Sequence, residues 1–328
     1  MSVLLENWRS PQLEAMRFGF GRGLTDLAKN DERIVALSAD LAESVGLGEF
    51  VKEIGSPRFI EVGVAEQNLV TVASGLAAMG AVPFAASYAV FSPGRNWEQI
   101  RTTICLNNQP VKLVGSHAGL NVGADGATHQ MLEDIALMRS LPNMVVLAPA
   151  DAYEARIMVS AMASDSRPNY VRLPREKTPL FLSYDNFTIG KAYWLREGSD
   201  VTLLGTGTMT YQLLSVAEML AQDGIQASVL HFPTIKPIDE AAILAVTEKC
   251  GRIVTAEEGQ IAGGFGSAVA ELLSEKFPAP VLRIGVQDKF GESGTIDQLW
   301  QKHGLDVQSI EQKVRGFVSR VPAYQAGF

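Results

Sequence analysis

The chain has 328 residues, of which 47% are hydrophobic and 20% charged, and its formal net charge is −8 at pH 7. This length and composition predict a soluble globular protein with room for two ordinary domains, and they exclude fibrous and disordered chains. The negative charge argues against general adhesion to nucleic acid or anionic membrane, so a phosphate-binding site would need its own local cations.

The cysteines and the N-terminal residues indicate the cellular compartment of the protein. The chain starts with early acidic residues and no long apolar run, so we expect no signal peptide. No stretch approaches the roughly 20 apolar residues of a membrane span. Cys105 and Cys250 lie in apolar segments without metal-ligand spacing, and we expect them to be buried, reduced thiols. Together these features predict a cytoplasmic protein.

Short apolar runs alternate with helical patterns along the first half of the chain. Such continuous apolar runs are typical of strands covered on both faces, and the alternation predicts parallel βαβ units. The predicted strands are residues 34–37, 59–62, 82–85, 111–114, 145–147 and 170–172. The predicted helices are residues 12–27, 67–79, 97–106 and 152–163.

A polar segment, G-K-A-Y-W-L-R-E-G-S-D, interrupts this rhythm before a second series begins. We therefore predict two doubly wound α/β domains with mainly parallel sheets, residues 1–187 and residues 188–328. The strand order within each sheet stays open. The predicted strands of the second series are residues 201–204, 227–230, 252–256 and 281–284.

A carboxylate opens the helix that follows the second predicted strand, in F-I-E-V-G-V-A-E-Q-N. Taken alone, Glu66 is most simply a first-turn residue that the helix dipole favours. Its neighbours Val62, Val64 and Leu69 are apolar, so the carboxylate is expected to be partly buried. Buried carboxyl groups tend to share or hold a proton, which makes Glu66 a candidate functional residue.

A glycine-rich loop, G-S-H-A-G-L-N-V-G-A-D-G-A-T-H-Q, follows the fourth predicted strand. It therefore lies at the carboxyl end of a parallel strand, where ligands of open α/β sheets bind. It holds two of the four histidines, His117 and His129, together with Asp125. On the residues alone, a ligand site and a decorated surface loop are equally supported. A metal site is a poorer account, because no complete ligand set is present.

Several motifs, in the same order, resemble the transketolase family. R-F-I-E-V-G-V-A-E-Q-N, Y-A-V-F-S-P-G-R-N-W-E-Q-I-R, the glycine-rich loop and R-P-N-Y-V-R-L-P-R-E-K-T-P resemble its pyrimidine-binding domain. L-L-G-T-G-T-M-T-Y-Q-L-L and V-T-A-E-E-G-Q-I-A-G-G-F-G-S-A-V-A-E-L-L resemble its C-terminal domain. The resemblance covers nearly the whole chain. It implies the C-terminal half of a thiamine-diphosphate enzyme that transfers a two-carbon ketol unit between sugar phosphates.

The resemblance implies three cofactor-binding residues. Glu66 matches the glutamate that hydrogen-bonds N1′ of the cofactor's aminopyrimidine and thereby activates it, and Gln67 follows in the same motif. Phe91 matches an aromatic residue packed against the pyrimidine ring, although by itself it would be an ordinary core residue.

The resemblance also implies substrate contacts. The two loop histidines would be catalytic as well, and a bidentate arginine suits a terminal phosphate. Without the resemblance, each arginine would be taken for a solvated or ion-paired surface residue. The residues at substrate-contacting positions are Arg17, Ser44, His117, Asp125, His129 and Arg175.

One family motif is absent from the chain. The G-D-G motif and later Asn, which hold the diphosphate and a divalent metal, have no match. The family binds its cofactor between domains of different protomers. The resemblance therefore implies a separate N-terminal subunit that carries the diphosphate-binding domain and holds the Mg²⁺ or Ca²⁺. We expect no metal site in this chain, no activity from it alone, a heterotetramer, and no nucleic-acid or membrane partner.

Three alternatives stay open. 1-Deoxyxylulose-5-phosphate synthase shares A-E-Q and G-A-D-G-x-T-H-Q, but it is normally one long chain with Arg where this sequence has His117. The β subunit of a 2-oxo acid dehydrogenase is a separate chain that lacks the full loop motif. A regulatory or scaffold subunit is disfavoured by Glu66 together with the loop residues.

Two further points are open at this stage. Arg95, in S-P-G-R-N-W, is equally placed to contact substrate phosphate or to cap the following helix. The sugar-phosphate donor and acceptor, and a pentose-phosphate or a catabolic pathway, are not distinguished.

Overall fold

The computed structural model describes residues 3–322. The elements of the first half are β1 (Leu13–Ala15), α1 (Met16–Ala28), β2 (Ile34–Ser38), α2 (Gly48–Glu53), β3 (Phe59–Glu61), α3 (Glu66–Ala78), β4 (Val82–Tyr88), α4 (Trp97–Gln99) with a π-helical turn (Ile100–Cys105), β5 (Lys112–Ser116), a 3₁₀ turn (Leu120–Asp125), α5 (Asp134–Arg139), β6 (Val145–Leu147), α6 (Ala152–Ser164), β7 (Asn169–Arg172) and β8 (Lys177–Pro179). Those of the second half are β9 (Tyr193–Arg196), β10 (Val201–Gly205), α7 (Met209–Gln222), β11 (Ala227–His231), β12 (Thr234–Lys236), α8 (Glu240–Cys250), β13 (Ile253–Gln260), α9 (Phe265–Lys276), β14 (Val281–Val286), α10 (Ile296–His303) and α11 (Val307–Arg320).

The strands form two large sheets and one small one. The first has seven strands in the order β12-β6-β7-β5-β4-β2-β3, and the second has five in the order β14-β13-β10-β11-β9. All pairs in the large sheets are parallel except those of the edge strands β12 and β9. The prediction of an α/β fold with mainly parallel sheets is confirmed.

All ten predicted strands overlap observed ones. Every residue of β2, β5, β10 and β11 is buried, as the apolar runs predicted. Two helix predictions need correction. The first helix begins only at Met16, because residues 13–15 form β1 and pair with β8. The helix at residues 97–106 is a short α-helical turn followed by a π-helical turn.

Helices α1 and α6 lie against each other closely enough to require glycine. A Cβ built on Gly19 would lie 1.9 Å from the carbonyl oxygen of Ala152, and one on Gly23 would lie 2.5 Å from that of Arg156. Neither approach leaves room for a side chain. This contact sets the start of α1, and with it Arg17, against the sheet.

The apolar core is continuous between the two halves of the chain. One cluster of buried side chains includes Leu113 and Tyr170 of the first half with Leu204 and Phe232 of the second. In addition, β12 of the second half extends the sheet of the first. The boundary near residue 187 stays a prediction.

None of the helices within residues 3–322 has the length and apolar character needed to cross a membrane. The cytoplasmic location stays a prediction from sequence.

Candidate active site

Several predicted site residues converge at the carboxyl edge of the seven-stranded sheet. Glu66 opens α3 five residues beyond the end of β3. Tyr88 ends β4 and lies opposite Ser116, which ends the neighbouring β5, so that His117 is the first residue past the strand. Carboxyl ends of parallel strands meet at one edge of a sheet, which explains why residues far apart in sequence assemble here.

Four rings form a continuous group at this edge. The ring of Tyr88 stacks on that of His117 with centroids 3.9 Å apart and on that of Phe91 with centroids 6.0 Å apart. His129 presents its ring edgewise to both Tyr88, at 6.4 Å, and Phe91, at 5.7 Å. Such contacts add about 0.5–1.5 kcal/mol per pair beyond area burial, so the group is well ordered.

The surroundings of His117 keep its imidazole neutral. The side chain is buried, and Nδ1 lies 2.9 Å from the hydroxyl oxygen of Ser116. Burial, followed by the positive charges of Arg17, Arg175 and His129, lowers the pKa of His117 to about 3. At neutral pH this imidazole is therefore uncharged, and it can donate one hydrogen bond and accept another.

Two arginines form a cationic corner beside the rings. Arg17 Nη1 donates a hydrogen bond to the backbone carbonyl of Arg175, and burial lowers the pKa of Arg17. Arg175 Nη1 donates to the carbonyl oxygen of Val122 at 2.8 Å and lies 3.3 Å from Oδ1 of Asp125. The glycine-rich loop thus holds Arg175 in place by two of its own residues.

Glu66 is buried, with 2% of its surface exposed, and is paired with Arg95. Arg95 Nη1 donates to Oε2 of Glu66 at 2.7 Å, and the guanidinium carbon lies 4.8 Å above the ring of Phe91. The neighbouring Asn96, at the N-cap position of α4, donates from Nδ2 to the carbonyl oxygen of Glu66 at 2.8 Å. Arg95 therefore links the carboxylate to the rings.

Contacts thus connect most of the predicted site residues into one group. They run from Glu66 through Arg95 to Phe91 and on to Tyr88, His129 and His117. The positive charges of Arg17 and Arg175 act on His117, and Arg175 in turn contacts Asp125.

The structure does not bring Ser44 and Gln67 into that group. Gln67 is exposed in the first turn of α3. Ser44 is half-buried in the turn before α2, two residues from Gly46, where a Cβ would lie 2.2 Å from the carbonyl oxygen of Arg17. Their binding roles rest on the motif match alone.

Sequence reasoning missed Tyr88 and the link between Arg95 and Glu66. Tyr88 stands in the quoted motif Y-A-V-F, three residues before Phe91, and its position at the end of a buried strand was the available signal. Neither open reading of Arg95 describes its contacts here: Asn96 occupies the cap position, while Arg95 pairs with Glu66.

The site is an open edge rather than an enclosed cavity. A cavity of about 640 Å³ lies behind the glycine-rich loop and is lined by Val122 and Arg175 of the site, but not by Glu66, Phe91 or His129. Within residues 3–322, no group of three or more His, Cys, Asp or Glu side chains could hold a metal ion.

Comparison with known families agrees with the motifs. The family model described as transketolase, pyrimidine binding domain, matches residues 14–179, and the one described as transketolase, C-terminal domain, matches residues 190–310. The chain belongs to the transketolase family. It corresponds to the C-terminal half of a transketolase, as the resemblance implied.

Two similar proteins of the family have chains of comparable length. A protein of Methanocaldococcus jannaschii, described as a transketolase C-terminal section, is 43% identical over 92% of this chain and 95% of its own. A 6-deoxy-6-sulfo-D-fructose transketolase subunit of Clostridium sp. is 43% identical over 88% of this chain and 89% of its own.

A solved structure described as a split gene transketolase, inactive beta4 tetramer, is also similar. It shares 43% identity and superposes with a TM-score of 0.87, covering 93% of this chain and 98% of that one.

Proposed function

We propose that this chain is the pyrimidine-side subunit of a split transketolase. A separate N-terminal subunit supplies the diphosphate-binding domain, and thiamine diphosphate with Mg²⁺ or Ca²⁺ lies between the two. The assembly, a heterotetramer with two copies of each subunit, transfers a two-carbon ketol unit between sugar phosphates. The observation that carries this proposal is the connected group running from buried Glu66 along the ring row to the cationic corner.

The cofactor-side residues fit an aminopyrimidine. Glu66 offers a buried carboxylate to a ring nitrogen, and Phe91 offers a ring face beside it. Thiamine diphosphate, when bound, supplies the electron sink for cleavage of a C–C bond. Because the carboxyl group is shielded from water, a proton shared with a ring nitrogen is held rather than lost to solvent. Arg95 occupies both groups here, so a pyrimidine competes with it for each.

The substrate-side residues fit a polyhydroxylated anion. His117 stays neutral and can bind a hydroxyl group, while His129 stands edgewise over the same rings. The guanidinium groups of Arg17 and Arg175 supply the local positive charge that a chain of net charge −8 needs for a phosphate. Asp125 orients Arg175 from the opposite side.

The open edge supports the need for a partner. The rings of Phe91 and His129 are partly exposed at this edge, and the described residues include no metal-binding cluster. The similar solved structure is described as a split gene transketolase, inactive beta4 tetramer, which is consistent with a subunit that needs a partner for activity. The proposal names no particular sugar phosphate. The similar Clostridium protein is described as a subunit of a 6-deoxy-6-sulfo-D-fructose transketolase, so similar subunits serve different sugars.

The test is a reconstitution. The chain alone, a candidate diphosphate-domain subunit alone, and their mixture are assayed with xylulose 5-phosphate and ribose 5-phosphate in the presence of thiamine diphosphate and Mg²⁺. We expect ketol transfer only in the mixture. A stable complex that binds the cofactor yet transfers no ketol unit from any sugar phosphate offered would contradict the proposal and favour a scaffold role.

A parallel arm addresses the synthase alternative. The same mixture is given pyruvate and glyceraldehyde 3-phosphate in place of the two pentose phosphates. Formation of deoxyxylulose phosphate without ketol transfer would replace the transketolase proposal by a split synthase. We expect none, because this chain has His117 at the position that the synthase fills with arginine.

A further inference from the structure

The second half of the chain contacts the glycine-rich loop of the candidate site, in part through one short segment. Residues 287–294, here called the bracing segment, connect β14 to α10 and lie against the glycine-rich loop. The active-site group described above contains no residue of this segment. The role of the C-terminal domain in the site is therefore unassigned by anything described so far.

Gln130 joins the loop to the bracing segment. It directly follows His129 and is 4% exposed. Its Nε2 donates to the carbonyl oxygen of Gly123 at 3.0 Å and to that of Glu292 at 2.9 Å. One buried amide thus ties together the middle of the loop, its last residue and the facing segment.

The packing around this amide is tight. A Cβ built on Gly291 would lie 1.8 Å from Oε1 of Gln130, and one built on Gly126 would lie 2.7 Å from the hydroxyl oxygen of Ser293. Gly126 also has a φ of 77°, which disfavours any other residue. A side chain at Gly291 would therefore displace the amide of Gln130, and one at Gly126 would displace Ser293 in addition to straining the backbone.

The C-terminal domain holds the loop at two further points. The backbone N–H of Asn121, in the first half of the loop, donates to Oε1 of buried Glu258 at 2.6 Å. The N–H of Gln260 donates to the carbonyl oxygen of Leu132 at 2.9 Å, just past the end of the loop. The other domain thus contacts the loop at Asn121 and Gln130 and the chain just beyond it at Leu132.

We propose that the C-terminal domain is a positioning element of the active site, acting through the bracing segment and Gln130. Gln130 is the positioning residue: it sets the backbone next to His129 and the turn at Gly123, adjacent to the Val122 carbonyl that binds Arg175. The consequence for catalysis rests on the proposed function, whereas the bracing itself does not.

The experiment uses the full chain, alone and reconstituted with its partner. Gln130→Glu keeps the shape of the side chain but replaces the donor by an acceptor that faces two carbonyl oxygens. Gly291→Ala introduces the clash from the other side. Lys289→Ala, an exposed change in the same segment, is the control.

Hydrogen exchange of the loop amides is measured in the chain alone. We expect Gln130→Glu and Gly291→Ala each to raise exchange at residues 119–130 by at least about tenfold, with α1 and α6 unchanged and Lys289→Ala without effect. Unchanged exchange in both variants would overturn the bracing, whatever the activity of the assembly.

Kinetics of the assembly test the catalytic consequence. We expect both variants to lower kcat by about tenfold or more, with cofactor affinity and assembly within about twofold of wild type. The steric effect of Gly291→Ala should be smaller when it is combined with Gln130→Ala, because the clashing oxygen of Gln130 is removed. Raised loop exchange with wild-type kcat and KM would overturn the positioning role. Absence of ketol transfer in the wild-type mixture would instead count against the proposed function. The hydrogen-exchange result would still decide whether the segment braces the loop.

Discussion

Polar side chains collect at the carboxyl edges of both large sheets, but they are more deeply buried at the second edge than at the first. At the first edge the rings of Phe91 and His129 remain partly accessible. At the second edge His231 is fully buried and Glu258 is 2% exposed. The first half of the chain fills that second edge: Glu154 of α6 places Oε2 2.8 Å from Nε2 of His231.

The filled edge contains an arrangement that resembles catalytic machinery. Thr210 Oγ1 lies 2.8 Å from Nδ1 of His231, whose other nitrogen faces the carboxylate of Glu154. This is the order of hydroxyl, imidazole and carboxylate used in nucleophilic catalysis. All three side chains are fully buried, so no substrate reaches them. Location at a sheet edge therefore indicates a site only where the neighbouring domain leaves it open.

The largest effect expected at the open edge is that of Glu66→Gln. We expect turnover of the reconstituted assembly to fall by at least about 100-fold, because the amide cannot hold the shared proton. Assembly, followed by size-exclusion chromatography, should be unchanged. Glu98→Gln, an exposed carboxylate on α4, serves as the control. Near-wild-type turnover in Glu66→Gln would remove the cofactor-activating role.

A pair of histidine variants separates the two edges. His231→Leu should lower the free energy of unfolding by about 1–3 kcal/mol, because Glu154 and Thr210 each lose a buried partner. His129→Leu should lower it less than His231→Leu does, because it leaves no fully buried polar partner, but it should reduce activity, since His129 lies at the open edge. Urea titration and the ketol-transfer assay measure both. Equal losses of stability would erase the distinction between the edges.

The cationic corner is expected to act on substrate affinity. Arg175→Ala should raise the KM for phosphorylated sugars by about tenfold, or about 1.4 kcal/mol, and should affect unphosphorylated sugars much less. Arg156→Ala, which removes an exposed arginine paired with Asp26, is the matched control. The same change of KM for both kinds of sugar would show that Arg175 does not recognise the phosphate.

The smallest effect concerns acid stability. The folded-state pKa of His117 is about 3, below the ordinary value of 6.5. Its neutral burial therefore favours folding fully above pH 6.5, and this contribution is lost as the pH falls toward 3, because the unfolded chain takes up the proton first. From pH 6 to pH 5 we expect the contribution of His117 to the free energy of unfolding to fall by about 1 kcal/mol.

The variant His117→Asn should show a shallower loss of stability over that interval. The free energy of unfolding is measured by urea titration at pH 7, 6 and 5 for both proteins. Asp151, whose pKa burial raises to about 6, titrates in the same range but is present in both, so the difference isolates His117. Parallel curves would show that His117 is accessible to protons in the folded state.

Sequence patterns predicted the features that depend on local order. The fully buried β2 and β5 were found from their apolar runs, and Glu66 stood out as a charge among apolar neighbours. The antiparallel edge strands β9 and β12 were missed, since short, irregularly paired strands carry little periodicity.

Contacts between distant residues were beyond the same reasoning. The bond from Arg95 to Glu66 spans 29 positions, and that from Gln130 to Glu292 spans 162. Each depends on how separate βα units pack, which hydrophobic periodicity does not encode. The stacking of Tyr88 on His117 likewise follows from the neighbouring positions of β4 and β5 in the sheet.

The strand β12 makes the two halves of the chain inseparable in practice. It pairs with β6 at one margin of the seven-stranded sheet, although it comes from the second half. A polypeptide cut near residue 187 would leave the apolar β6, Val145–Leu147, with unpaired backbone N–H and C=O groups facing water. Such an edge pairs readily with another copy of itself. We expect a fragment of this kind to aggregate on expression, so deletion of the C-terminal domain is not a clean way to study the first.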